Sequence, residues 1–337
     1  MKQYLQRPKP HGLRNFQGVY TNSRAMLDMF FQLEKVSRSD CPVLIVGETG
    51  TGRETVARAI HALGDRRRAS FETVNCAALG EASLELDLFG DGGDSDAVDS
   101  AGAIARADGG SLYLDEVAEL PLSVQSHLLG FLEDGSSVRG SAGGAGRSDA
   151  RVLSSTSSDP GVAVEQGSLR EDLRYRLGVV MLPIPPLRDR NGDVPALFWH
   201  FLEELRGKYR EVPGSISEEA MKALEAWNWP GNLRELRNAV ERAVVMCRGD
   251  KLGMGDLPPE LLGAARTSPP PVVISSRVVE PAGSAGLARD LTPVQEQECN
   301  RLMAALSEAR GHRGKAAESL GMSRSTLWRK LGRYGLS

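Results

Sequence analysis

Disulfide chemistry is missing from this chain: its four cysteines, Cys41, Cys76, Cys247 and Cys299, lie far apart and none falls in a CxxC pair. That spacing excludes a disulfide framework and a structural zinc site, and it fits a reducing compartment. Long hydrophobic runs are missing too. The aliphatic run Val43–Val46 covers four residues, far short of a membrane span, and the basic start (Lys2, Arg7, Lys9, Arg14) lacks the apolar stretch of a secretory leader. A cytoplasmic protein without membrane contact is expected. Aromatics are scarce at 5%, and neither sign of charge dominates, with 41 Lys and Arg against 44 Asp and Glu. The net charge of −3 therefore says nothing about nucleic acid until the charges are located along the chain.

What is present is a soluble composition, 41% apolar and 25% charged, over 337 residues, enough for about two domains. Residues 264–290 are rich in Pro, Ser, Gly and Ala without helical period and read as a flexible linker. Upstream, short apolar runs (Val43–Val46, Phe71–Val74, Leu112–Leu114, Val152–Leu153) alternate with helical stripes. Met26, Met29, Phe30 and Leu33 form one such stripe, and Val56, Ala59, Ile60 and Leu63 another. This alternation predicts an α/β core over 18–187 with a largely parallel sheet, after a tail of residues 1–17. Strand patterns stop after Pro185-Pro186, so 188–263 reads as an all-helical subdomain. The stretches Asp91–Gly102 and Gly140–Ala150 have too few apolar groups to offset their ordering entropy and are expected as mobile loops.

The segment VLIVGETGTGRE, Val43 to Glu54, is a strand, a glycine-rich turn and a helix start. This is the context in which successive amides converge on a triphosphate at the positive end of a helix. Gly47, Glu48, Thr49, Gly50, Thr51, Gly52, Arg53 and Glu54 are thus the candidate phosphate-binding residues; an ordinary glycine turn is the alternative. Two positions depart from the general pattern GxxxxGK[ST]. Arg53 puts a planar guanidinium where a compact ammonium is usual, and Glu54 replaces the hydroxyl that ordinarily faces Mg2+. Metal holding then falls to carboxylates elsewhere. GGSLYLDE supplies them: Asp115 suits a magnesium-water shell and Glu116 suits polarising an attacking water, unless both are merely solvated acids at a strand end.

With these blocks stand FETVNCAAL (Phe71 to Leu79), ELDLFG (Glu85 to Gly90), LREDLRYRL (Leu169 to Leu177), PPLRDRNGDVPAL and WNWPGNLRELRNAVERAV. From about Gly18 to Leu262 the chain resembles the AAA+ domain of the bacterial sigma-54-dependent activators. The resemblance implies an AAA+ P-loop core and a helical lid, with ATP and Mg2+ as cofactors. It also implies a Walker B pair in Asp115 and Glu116, with Asn75 restraining Glu116 as a switch. Arg170 and Arg176 match arginines that enter a neighbouring subunit's site, which implies a ring, homo- or hetero-oligomeric. Arg234 matches the lid's sensor arginine. From sequence alone, Arg170 and Arg176 read as well as salt-bridge partners of Glu171 and Asp172. Trp227 and Trp229 are expected to pack the lid.

Three features depart from the family. The interval between LFG and ADGG is acidic, short and without the Phe-Thr pair of the GAFTGA loop that contacts sigma-54, which argues against direct remodelling of sigma-54 RNA polymerase. Arg53 is the second, and Ser157 stands where a sensor asparagine is usual. Few residues precede the first helix, so no receiver domain is expected there, and control is expected from a partner, expression level or assembly. A DNA-binding regulator that uses its AAA+ domain only as an oligomerisation scaffold is the alternative to an ATP-driven activator.

Residues 291–337 form a separate all-α unit in this reading. From Arg310 to Ser337 seven basic residues face one acid, Glu318, a phosphate-seeking balance. KAAESLGMSRSTLWRKL has helix-turn-helix spacing, with Ser323 as an N-cap. Arg324, Ser325, Thr326, Trp328, Arg329 and Lys330, followed by Arg333, are the candidate contacts to double-stranded DNA at an upstream operator or enhancer; a basic solvated helix is the alternative. The block resembles the Fis-type helix-turn-helix that ends the same activators.

Overall fold

The computed structural model describes residues 4–6, 13–90, 102–135 and 147–263. The chain divides into two units, Met1–Ser275 and Ser276–Ser337. The candidate DNA contacts Arg324, Ser325, Thr326, Trp328, Arg329, Lys330 and Arg333 lie outside the described residues, as do 91–101 and 140–146 of the two expected loops. Among the described residues no helix is long and apolar enough to cross a membrane.

Three short strands come first: β1 (Tyr4–Gln6), β2 (Arg14–Phe16) and β3 (Val19–Thr21). Helices and strands then alternate: α1 (Arg24–Ser37), β4 (Val43–Val46), α2 (Arg53–Leu63), β5 (Phe71–Asn75), α3 (Glu81–Phe89), α4 (Ala103–Arg106), β6 (Ser111–Asp115), α5 (Leu122–Asp134), β7 (Arg151–Thr156), α6 (Pro160–Glu165), α7 (Glu171–Leu177) and β8 (Val180–Pro183). Five of the strands form one sheet in the order β5-β6-β7-β4-β8, every pair parallel. Alternate residues of each strand point to opposite faces. Leu44, Val46, Leu112 and Leu114 join a core with α3 and α5, whereas Val43, Ile45, Tyr113 and Leu153 join one with α1 and α2. Because the strands are parallel, Gly47, Asn75, Asp115 and Thr156 all emerge at one edge, where ligands of such sheets bind.

The second subdomain contains α8 (Asp193–Leu205), β9 (Ser215–Ser217), α9 (Glu218–Ala226), α10 (Asn232–Met246), β10 (Lys251–Leu252) and α11 (Pro259–Gly263). Trp229 is fully buried in its core, with Trp227 packed against it. It is not all-helical as expected. β9 pairs in parallel with β10 and antiparallel with β1. The Ser217 side chain accepts a hydrogen bond from Ala220 N at 3.2 Å, which starts α9 at Glu218 and leaves Ser215 and Ile216 extended. Residues 1–17 are likewise more than a tail. They supply β1, and β2 closes a hairpin on β3 through Gln17 and Gly18, whose φ values of 51° and 86° suit a two-residue hairpin turn. β8 carries no expected pattern because it is an edge strand, where Pro183 is tolerated.

Candidate functional site

β4 is buried along its whole length and delivers Gly47 to the sheet edge, where Gly47 N bonds Thr156 O at 3.1 Å. The loop then needs left-handed backbone at Gly50 (φ 81°) and Gly52 (φ 96°) before α2 begins. Gly52 caps α2 without a side-chain acceptor. In consequence the amides of Gly50, Gly52, Arg53 and Glu54 bond to no other described residue. Unpaired amides at a helix start form an anion site. Thr51 Oγ1 folds back to Glu48 O at 2.7 Å, Thr49 is exposed, and Glu54 is turned outward to Arg58 Nε at 2.9 Å.

Arg53 turns inward and is only 8% exposed. Its Nη1 donates to Gly47 O at 2.7 Å, while Nη2 pairs with Glu116 Oε1 and reaches Asp115 Oδ1 at 3.5 Å. The second oxygen of Glu116 accepts from Ser157 N at 2.8 Å and from Ser157 Oγ at 2.9 Å. Glu116 holds this pose in the left-handed region (φ 58°, ψ 54°), uncommon for a residue with a side chain and a form of strain that gathers at functional sites. Beneath Asp115, Tyr113 and Ser155 place their hydroxyls on Oδ1. Burial pushes the Tyr113 phenol well above its ordinary value, so it stays protonated and donates.

A cavity of about 450 Å³ spans this edge and the second subdomain, a size suited to a small-molecule ligand. Gly50 to Glu54 and Asp115 line it, together with the apolar side chains Val19, Tyr20, Leu197 and Phe201 and the charged Glu204 and Arg237; the Tyr20 and His200 rings lie 3.8 Å apart. Arg234 lines the cavity from α10 and is exposed. α10 is fastened to the loop. Leu233 N bonds Gly50 O at 2.9 Å, and a Cβ at Gly50 would lie 2.3 Å from Gly231 O. Asn232 Nδ2 donates to Thr49 O at 3.1 Å and Glu48 Oε2 at 3.2 Å, while its Oδ1 accepts from Leu187 N at 2.7 Å. Arg188 grips Glu48 with two bonds, of 2.8 and 2.6 Å, and this pairing holds the Glu48 carboxyl below its usual range. Arg190, 2% exposed, donates to Thr51 O at 2.9 Å, and burial pulls its guanidinium down to about 10.

Three expected residues sit elsewhere. Asn75 ends β5 opposite Asp115, but its side-chain oxygen accepts from Ala77 N at 3.0 Å; Ser157 and Arg53 take both oxygens of Glu116. Arg170 pairs with Asp172 through bonds of 3.0 and 2.8 Å, the salt-bridge alternative, and also reaches Ser126 Oγ at 3.0 Å. Arg176 donates to Leu132 O at 2.9 Å. Neither arginine lines the cavity of its own chain.

Residues 19–183 match the family model described as the sigma-54 interaction domain, 188–272 match an AAA+ ATPase lid domain, and 293–334 match the bacterial regulatory protein, Fis family. The regulatory protein AtoC of Escherichia coli K12 is 39% identical over 324 residues, covering 94% of this chain and 68% of AtoC. The chain belongs to the sigma-54 activator family. Its members here are transcription regulators that combine an AAA+ domain with a helix-turn-helix domain. HyfR of the same organism, a DNA-binding transcriptional activator, is 38% identical over 327 residues; the match covers 95% of this chain but only 48% of HyfR. Among solved structures, NtrX from Brucella abortus in complex with ATP is similar at 32% identity and a TM-score of 0.67, covering 94% of this chain and 69% of NtrX.

Sequence reasoning missed Asn232, Arg188, Arg190, Tyr113, Ser155 and the Tyr20–His200 wall. Asn232 and the two arginines lie in the family blocks GNLREL and PPLRDRNGDV, and membership of those blocks was the available clue. Tyr113 and Ser155 carried none, because a tyrosine or serine inside a buried strand reads as core.

Proposed function

We propose that this chain is a cytoplasmic transcription regulator that binds ATP with Mg2+ in the cavity, assembles into a ring, and acts on a transcription complex from a DNA site read by its C-terminal domain. The carrying observation is the convergence of unpaired amides, Arg53 and Asp115 in one cavity, with Glu116 bonded to Arg53 beside them and Val19, Tyr20, Leu197 and Phe201 supplying apolar lining. The residues fit the ligand. The amides of Gly50, Gly52, Arg53 and Glu54 are without a described partner and so available to a polyphosphate, and Asp115 Oδ2 makes no hydrogen bond to a described residue. NtrX, a relative whose structure is described with ATP, supports the assignment. Bound ATP with Mg2+ would supply the transferable phosphoryl group and a cation to spread its charge. The loop amides and Arg53 hold the anionic end, Glu116 polarises a water, and Arg234 closes from the lid. Arg170 and Arg176 serve a neighbouring site and leave their present partners to do so.

A second reading rests on Glu116. Both of its oxygens are taken by Arg53 and Ser157, which restrains hydrolysis and favours a nucleotide-sensitive scaffold without sigma-54 contact. ATP turnover by wild type and Arg53→Lys, with and without sigma-54 holoenzyme on target DNA, separates the two. An active engine hydrolyses ATP and responds to the holoenzyme. A restrained scaffold shifts DNA, turns over little and is released by Arg53→Lys. Failure of the folded protein to take up labelled ATP saturably overturns both.

A further inference from the structure

Glu54 leaves the loop without the hydroxyl that would face a divalent cation, and its carboxylate is turned away to Arg58. The structure carries two other hydroxyls beside the remaining acid. Tyr113 precedes Asp115 by two residues on β6, so both side chains leave the same face of the strand. Ser155 comes from the neighbouring β7. The Tyr113 hydroxyl lies 3.0 Å from Asp115 Oδ1 and 2.9 Å from Ser155 Oγ, and Ser155 Oγ donates to the same Oδ1. Both residues are fully buried.

Two hydroxyl hydrogens serve three contacts. Either both donate to Asp115, or Tyr113 donates to Ser155, which passes its own hydrogen to the carboxylate. In each arrangement Asp115 receives, and neither hydroxyl bonds to any other described group. Burying two hydroxyls is costly unless they are bonded, and an apolar pair would fill the same space. We propose that Tyr113 and Ser155 are positioning residues that pin Asp115 through Oδ1 and leave Oδ2 to present to the divalent cation that accompanies the nucleotide. This rests on the nucleotide reading of the cavity. It deepens that reading by replacing the missing loop hydroxyl with two inside the sheet.

The test uses the full chain and a fluorescent ATP analogue, titrated with Mg2+ and again with EDTA. Tyr113→Phe and Ser155→Ala are compared with Ser154→Ala, whose hydroxyl bonds Val43 O on the opposite side. Wild type is expected to bind more tightly with Mg2+. Loss of a group that orients a metal ligand costs on the order of tenfold or more in metal affinity, so each variant should lose roughly that much of the Mg2+-dependent gain. Affinity in EDTA and the behaviour of Ser154→Ala should not change. The proposal fails if either folded variant keeps the full gain, if affinity falls equally with and without Mg2+, or if wild type binds equally well in both. No saturable binding by wild type in either condition sinks the nucleotide reading itself, and is told apart because the analogue then fails everywhere. Thermal melting confirms folding, and the two variants are independent, so the loss of one leaves the other decisive.

Discussion

The two edges of the five-stranded sheet use the same ingredients, buried arginines beside carbonyls and acids, to opposite ends. At the amino edge, Arg151 is 4% exposed and donates to Val36 O at 2.8 Å and Ser37 O at 3.1 Å, where α1 ends. Arg66 pairs with Asp40 and Asp149, and His61 Nδ1 meets Ser111 Oγ at 2.9 Å. A cation at a helix C-terminus is stabilising; Arg151 and His61 end on buried partners, with Arg151 Nε left over, while Arg66 ends on the exposed acids Asp40 and Asp149. At the carboxyl edge Arg53 rests on Asp115 and Glu116, Glu116 sits in left-handed backbone and the amides of Gly50, Gly52, Arg53 and Glu54 bond to no other described residue. One edge is closed and contributes stability; the other is held open.

The largest effect that sharpens this contrast is kinetic. Glu116→Gln should lower ATP turnover by about 10²-fold or more, the usual yield of a positioned base, while labelled ATP still binds; unchanged phosphate release would break the comparison at its active end. At the amino edge, Arg151→Met should cost about 3 kcal/mol in urea unfolding, since two buried carbonyls lose a charged donor, with nucleotide affinity unchanged. Asn232→Ala acts at the carboxyl edge, where the lid meets the loop. It places alanine in left-handed backbone (φ 51°) and removes the lid's grip on the loop, so a loss of about 2 kcal/mol should accompany weaker ATP-analogue binding.

The smallest effect is a pH dependence. Arg188 hydrogen bonds, then Asn232, hold the Glu48 carboxyl below its usual range against the opposing effect of burial. Its folded pKa is depressed, so its contribution is fully present above the ordinary carboxylate range and is lost as pH falls through the lower folded value. Glu48→Gln should flatten that acid limb in thermal melts, and an unaltered limb would assign it to other acids.

How much of this was readable beforehand follows physical lines. The helix stripes of α1 and α2 and the strand β4 were legible because burial imposes a period on sequence. The loop and the Asp115–Glu116 pair were legible because phosphate chemistry constrains glycine spacing and acid placement. β9, β10 and β1 were not, since a three-residue strand such as Ser215–Ser217 is buried throughout yet carries only one apolar residue, Ile216. The Ser157 contact to Glu116 is illegible for a different reason. Ser157 reaches it with a backbone amide as well as its hydroxyl, and amide direction at a strand end is set by the fold and leaves no mark in residue type.

The pairing of Tyr4–Gln6 with Ser215–Ser217 has a mechanical consequence. Whatever is joined ahead of residue 4 pulls first on the lid and not on the sheet. A fluorophore placed there would ride with β9 and the start of α9, and so report on the lid and not on the five-stranded sheet.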